Sequence, residues 1–183
     1  MTHSQTKLIL LDRDGTLIEN VPYLAEPGKV VLIPGAAEAL RELIRLGWTV
    51  VLVSNQSGIG RGLFDEATLT KVNQRLLDLL EAQGVQLAGL YHCPDHPDDP
   101  SANRKPAPGM ALQAARNFSA DLKEAWVIGD SVVDIGLAEA IGARSILVLT
   151  GHGTQYDYTS GPKPTHICPS LADVPAVIGT TGS

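Results

Sequence analysis

Cysteine is scarce in this chain, basic charge is outnumbered, aromatics are few, and no apolar run is long. Cys93 and Cys168 are the two cysteines among 183 residues. That excludes a disulfide framework and fits free thiols. Lysine and arginine total 14 against 20 acidic residues, a net charge of −6, and the longest basic run is the pair Arg104–Lys105. A nucleic-acid binder shows a basic excess or a basic stripe, so nucleic acid is not an expected partner. Any anionic ligand must instead meet a local cation or a metal. The run Leu8 to Leu11 is too short for the apolar region of a secretory signal, and nothing approaches the roughly 20 apolar residues of a membrane span. There is no G-x-x-x-x-G-K-[ST] loop, and Gly58, Gly60 and Gly62 miss the G-x-G-x-x-G spacing. The expectation is a cytoplasmic, monomeric protein with no membrane partner.

What is present is an alternation of short apolar runs with amphipathic stretches. Strands are expected at Lys7–Asp12, Trp48–Val53, Leu87–Tyr91, Ala125–Gly129, Ser145–Leu149 and Thr165–Cys168. Helices are expected over Ala36–Leu46, from an Asp65 cap to Gln83, from Pro108 as the first helical residue, over Ser131–Ile141, and in a short last segment capped by Ser170 or Asp173. Asn20–Val30 and the proline- and aspartate-rich Pro94–Asn103 read as loops. Continuous apolar strands alternating with helices predict an α/β fold: a Rossmann-like doubly wound parallel sheet with helices on both faces. One domain over 1–178 is expected, with 179–183 a disordered tail. Such sheets bind ligands at the carboxyl ends of their strands.

Two of those ends carry paired carboxylates. Asp12-Arg13-Asp14-Gly15-Thr16 follows the first strand, and Gly129-Asp130-Ser131-Val132-Val133-Asp134 follows the fourth. Like charges this close raise a pKa or recruit a cation, and Asp12, Asp14 and Asp130 supply the hard oxygens that Mg²⁺ prefers. Either site alone reads equally well as a helix cap or a turn. Ser54, in Ser54-Asn55-Gln56-Ser57-Gly58, offers a hydroxyl and turn amides to a phosphate. Arg104 and Lys105, ahead of the third helix, offer two cations. Each of these segments alone is also an ordinary turn or a solvated basic pair. All four together read as chemistry.

In that order and at those positions, DRDGT, Ser54, Lys105 and GDSVVD resemble the four motifs of the haloacid dehalogenase-like (HAD-like) phosphatases, over about residues 7–150. LDRDGT, SNQSGIGRG at Ser54–Gly62 and RKPAPGM at Arg104–Met110 are similar to that family's histidinol-phosphatase/heptose-bisphosphate group, as is SLADVP at Ser170–Pro175. The resemblance implies a Mg²⁺-dependent hydrolase of a small phosphorylated sugar, with histidinol phosphate or another small phosphomonoester as the alternative substrate. Asp12 would be the nucleophile and Asp14 the acid and base. Mg²⁺ would rest on Asp12, the Asp14 main-chain oxygen and Asp130, with Asp134 in support. Ser54 and Lys105 would hold the phosphoryl group and Arg104 a second phosphate. Asn20, Tyr23, Asn55, Gln56, Ser57 and Ser131 would complete the substrate site. Only 37 residues, 17–53, separate Thr16 from Ser54, so no large cap domain is expected. One departure stands out. Members often hold a structural zinc on Cys-x-His and Cys-x-Cys pairs, but here the loop reads Cys93-Pro94-Asp95-His96 and lacks the later cysteines. Zinc is therefore not expected, with His92, Cys93 and His96 the remaining candidate ligands.

Overall fold

The computed structural model describes residues 6–180. Six strands form one sheet: β1 Lys7–Leu11, β2 Trp48–Asn55, β3 Gly89–Cys93, β4 Trp126–Gly129, β5 Arg144–Val148 and β6 His166–Cys168. Their order is β3-β2-β1-β4-β5-β6, and every neighbouring pair is parallel. Five helices connect or follow them: α1 Ala36–Arg45, α2 Glu66–Glu81, α3 Gly109–Phe118, α4 Val132–Ile141 and α5 Val174–Thr180. This is the doubly wound fold expected, and the first link, residues 17–47, carries only loops, a 3₁₀ turn at Pro27–Lys29 and α1 rather than a cap domain. Among the described residues, no helix is long and apolar enough to cross a membrane.

Strand periodicity sorts the core onto two faces. From β1, Ile9 and Leu11 pack with Leu40 of α1, Leu76 of α2 and Ile178 of α5. Leu8 and Leu10 pack on the other side with Met110 and Ala114 of α3 and Leu137 of α4. Both faces are covered, which is why the strands read as unbroken apolar runs.

Several boundaries move. β2 extends two residues beyond Val53, because Ser54 and Asn55 still pair with His92 and Cys93. β3 starts at Gly89 rather than Leu87; it is an edge strand whose residues are mostly half-buried, so its apolar signal is weak. Pro108 stands at the cap of α3, one place before the first helical residue. Ser170 caps a short 3₁₀ turn over Leu171–Asp173 that leads into α5. That helix continues to Thr180, past the expected boundary at 178; residues 181–183 of the expected tail lie outside the described residues.

Candidate active site

The sheet reverses its winding between β1 and β4, so the carboxyl ends of these two strands open side by side. Asp12 is fixed there by its N–H, which donates to Ile128 O of β4 at 2.9 Å. Gly15 then turns the chain with φ 84°, and Gly151, with φ 55°, approaches from the loop after β5; a Cβ at either would overlap Asp130 Oδ2. The glycines thus let two backbone segments close around that carboxylate. Thr150 Oγ1 donates to Gly15 O at 2.6 Å, and the His152 N–H donates to Asp130 Oδ2 at 2.7 Å.

Lys105 enters from the loop before α3 and is 2% exposed. Its ammonium donates to Asp12 Oδ1 at 2.6 Å, Asp134 Oδ1 at 2.6 Å and Val53 O at 2.7 Å. Asn55 holds the base of this arm, its amide bonding the Lys105 carbonyl at 3.0 Å and its oxygen accepting the Lys105 N–H at 2.9 Å. Asp134 is fixed in turn by a capping box: its Oδ2 accepts Ser131 N–H at 3.2 Å and Ser131 O–H at 2.5 Å. Burial pushes the Asp12 carboxyl well above its usual pKa; Lys105 opposes that, and Asp134, Asp130 and Asp14 add to it. Burial likewise lifts Asp130 to about 6, with its His152 hydrogen bond and Lys105 opposing and Asp134 adding. Burial also works against the Lys105 ammonium, but Asp12 and Asp134 outweigh it and hold its pKa above the usual lysine range. Three carboxylates against one ammonium leave the cluster short of positive charge.

Asp14 faces a different setting. A cleft of about 370 Å³ is lined by Asp14, Asn20, Tyr23, Asn55, Gln56, Ser57 and His152, among others. Asp14 is 24% exposed and is gripped by the buried guanidinium of Arg13. Gln56 Nε2 bonds both Asp14 Oδ2, at 2.9 Å, and Ser54 Oγ, at 2.6 Å. Across the mouth, Asn20 Nδ2 and His152 Nε2 lie 2.8 Å apart. Tyr23 is half exposed, with the Arg61 guanidinium 5.9 Å from its ring centre.

The structure therefore gathers Asp12, Asp14, Ser54, Lys105 and Asp130 at one strand edge, with Asn20, Tyr23, Asn55, Gln56 and Ser57 around the cleft. Two expected residues stand differently. The Ser131 hydroxyl is spent on Asp134 as a helix cap, because Ser-x-x-Asp at a helix start satisfies itself. Arg104 is not among the residues lining the cleft; its N–H donates to Ser101 Oγ at 3.0 Å, and its buried Nη1 has no hydrogen-bond partner among the described residues. Asp134 joins the acidic cluster directly, where the sequence suggested only support. Arg13 and His152 were not expected at the site. Arg13 lies within the motif but carries no signal of its own, and His152 sits in a loop with no pattern.

Among the described residues, one group of three or more acidic, histidine or cysteine side chains is able to hold a metal: Asp12, Asp130 and Asp134, with one oxygen of each within 4.8 Å of the others. All are hard oxygen donors with excess negative charge, which fits Mg²⁺. The Asp14 carboxylate is not in this group and points to Arg13 and Gln56 instead. In the 93–103 loop, Cys93 Sγ lies 3.3 Å from Asp95 Oδ2 and 3.5 Å from Ser101 Oγ. His92 bonds Glu66 at 2.9 Å, and His96 Nδ1 accepts the Asp98 N–H at 3.2 Å. The three candidate zinc ligands thus each bond elsewhere.

Comparisons with known proteins converge on one family. The HAD-hydrolase-like family model matches residues 102–174. The D-glycero-β-D-manno-heptose-1,7-bisphosphate 7-phosphatase of Bordetella bronchiseptica is 39% identical over 170 residues, 92% of this chain and 95% of that protein. Its Pseudomonas aeruginosa counterpart is 37% identical over 172 residues, 93% and 97% of the two chains. Among solved structures, the B. bronchiseptica D,D-heptose 1,7-bisphosphate phosphatase complexed with magnesium and phosphate superposes with TM-score 0.90 at 36% identity, covering 97% of this chain and all of that one. The Burkholderia thailandensis D,D-heptose 1,7-bisphosphate phosphatase gives 0.75 at 31% identity, covering 96% and 99%. With a fold, a strand-edge carboxylate site and near full-length relatives in agreement, the chain belongs to the HAD-like hydrolases, in the family of the D-glycero-β-D-manno-heptose-1,7-bisphosphate 7-phosphatases.

Proposed function

We propose that this protein is a Mg²⁺-dependent phosphatase that removes the 7-phosphate of D-glycero-D-manno-heptose 1,7-bisphosphate through an aspartyl-phosphate on Asp12. The observation that carries this reading is the Asp12 carboxylate at the switch point, tied to Lys105 at 2.6 Å and within 4.8 Å of the Asp130 and Asp134 oxygens, with Asp14 two residues on, facing the cleft.

An Asp12 carboxylate oxygen attacks phosphorus in line and the bond to the sugar oxygen breaks. Asp14, as the general acid, gives a proton to the departing alkoxide. Water then attacks the phosphorus of the aspartyl-phosphate, Asp14 takes back a proton, and inorganic phosphate leaves with the Asp12 carboxylate restored. Ser54 and Lys105 hold the phosphoryl oxygens where charge develops. Asp12, Asp130 and the Asp14 main-chain oxygen, with Asp134 alongside, are the donors for Mg²⁺. When bound it supplies the positive charge that lets an anionic phosphate approach ionised Asp12. Asn20 and Tyr23 cover the leaving group. Arg104, next to Lys105 in the loop before α3, is assigned the second phosphate; its Nη1 is buried without a protein acceptor among the described residues, so this role requires the side chain to turn toward the cleft. Buried thiols at Cys93 and Cys168 suit a reducing, cytoplasmic setting.

The test is a rate panel of the heptose bisphosphate, other sugar phosphates, histidinol phosphate and p-nitrophenyl phosphate, with and without Mg²⁺. The bisphosphate is expected to lead, with activity lost on chelation. Arg104→Ala is expected to lower kcat/KM for the bisphosphate by about 10–100-fold, the worth of a charged hydrogen bond, and to change p-nitrophenyl phosphate hydrolysis far less. Equal losses on both would move Arg104 to the transferred phosphate and count against a bisphosphate substrate.

A further inference from the structure

Arg13 is only 2% exposed, an unusual place for a guanidinium. Burial of this kind is tolerated when the donors are matched, and here the bonds run in two directions. Nε and Nη2 fork onto Asp14 at 2.9–3.1 Å, and Nη2 also reaches Gln56 Oε1 at 3.0 Å. Nη1 turns away to the side-chain oxygen of Asn73 at 2.8 Å. Asn73 belongs to α2, whose Val72 and Leu76 are fully buried against the sheet. A forked pairing fixes the plane of a carboxylate as well as its position, and a fork anchored at its far end transmits the anchor's placement.

We propose that Asn73 and Arg13 are positioning residues that aim the Asp14 carboxylate, so that α2, otherwise an ordinary core helix, sets the geometry of proton transfer. This rests on the reading of Asp14 as the acid and base. Nothing else on α2 reaches the site through a bond of this kind: its other described side-chain hydrogen bonds are an Asp65 cap, a Thr70 backbone bond, a Gln74–Asp78 pair and the surface Glu66–His92 pair.

The experiment compares two steps that differ in their need for a proton. Release of p-nitrophenolate in the first turnover needs little help; departure of a sugar alkoxide needs an acid. Asn73→Leu keeps the bulk and removes the acceptor. On a sugar phosphate its kcat is expected to fall about 10–100-fold, the cost of misplacing a reacting group by roughly an ångström, with KM nearly unchanged. The first-turnover release of p-nitrophenolate is expected to fall less than about threefold. Asn73→Asp, which keeps an acceptor for Arg13, is expected to restore most of the sugar-phosphate rate; Asn73→Ala serves if the leucine is not accommodated. Equal losses on both substrates, no loss on either, or no rescue by aspartate would overturn the proposal. Asp14→Asn separates the two levels. If it leaves sugar-phosphate turnover intact, the acid–base reading falls and this inference with it. If it abolishes turnover while Asn73→Leu is silent, only the inference falls.

Discussion

The two sides of this site both set carboxylates against a cation and differ in how far the carboxylate is exposed. On the dry side, Asp12, Asp130 and Asp134 close around one buried ammonium, Lys105. On the wet side, Asp14 opens onto the cleft and is met by Arg13 and Gln56. Burial raises the pKa of Asp12 and Asp130 on the dry side, making a cation costly to withhold. The Asp14 carboxylate instead accepts hydrogen bonds from two side chains and is partly exposed to the cleft. Neighbouring carboxylates placed in different surroundings take different roles; that separation, rather than the count of aspartates, makes the site chemical.

The sharpest way to break the comparison is to remove the nucleophile. Asp12→Asn is expected to lower kcat by several powers of ten with the fold retained, since an amide cannot attack phosphorus. A residual rate above about one per cent would argue against covalent catalysis.

Lys105→Met removes the one cation of the dry side and leaves three facing carboxylates. Turnover is expected to fall about 100–1000-fold, as for loss of a group that stabilises transition-state charge. Metal-free stability is expected to drop by about 3–5 kcal/mol, the usual penalty for stranding a buried charge, with carboxyl protonation recovering part of it. Denaturant melts with and without Mg²⁺ check this; unchanged metal-free stability would mean that the lysine does not balance the cluster.

The smallest effect is in pH. Asp130, at about 6 in the folded protein, keeps a proton that the unfolded chain has released above about pH 4. Folded-state proton binding therefore exceeds unfolded-state binding between those values, and stability of the metal-free protein should fall as pH rises through about 4 to 6, with Asp12, raised by burial as well, adding to the fall. Mg²⁺ competes with that proton. Saturating Mg²⁺ is expected to raise Tm by several degrees at pH 7.5, given about 2–4 °C per kcal/mol for a chain of this size, and by clearly less at pH 5. An equal shift at both would place the metal away from Asp130.

The fold and the four chemical segments were legible because each is local. Apolar runs named the strands; DRDGT, Ser54 and GDSVVD stand at or beside their ends, and Lys105 stands just ahead of α3. What was not legible is long-range. Asn55 looks like a substrate ligand in sequence, but 50 residues on it finds the Lys105 backbone. Ser131, read as part of the substrate site, is the exception: the partner that takes its hydroxyl, Asp134, is only three residues on. Arg13 has no pattern that marks it as buried; one of the acceptors that match it is Asn73, 60 positions away, and no spacing rule links them. Local chemistry announces a site in sequence; the groups that aim that chemistry appear only once distant elements are brought together.

The most direct test of the account is to catch phosphate on Asp12. Asp14→Asn should slow hydrolysis of the aspartyl-phosphate, so a reaction with Mg²⁺ and p-nitrophenyl phosphate, quenched in acid after one turnover and mapped by peptide mass spectrometry, should place a phosphoryl group on Asp12. Inorganic phosphate released with no phosphorylated peptide, or a phosphoryl group on any other residue, would contradict it.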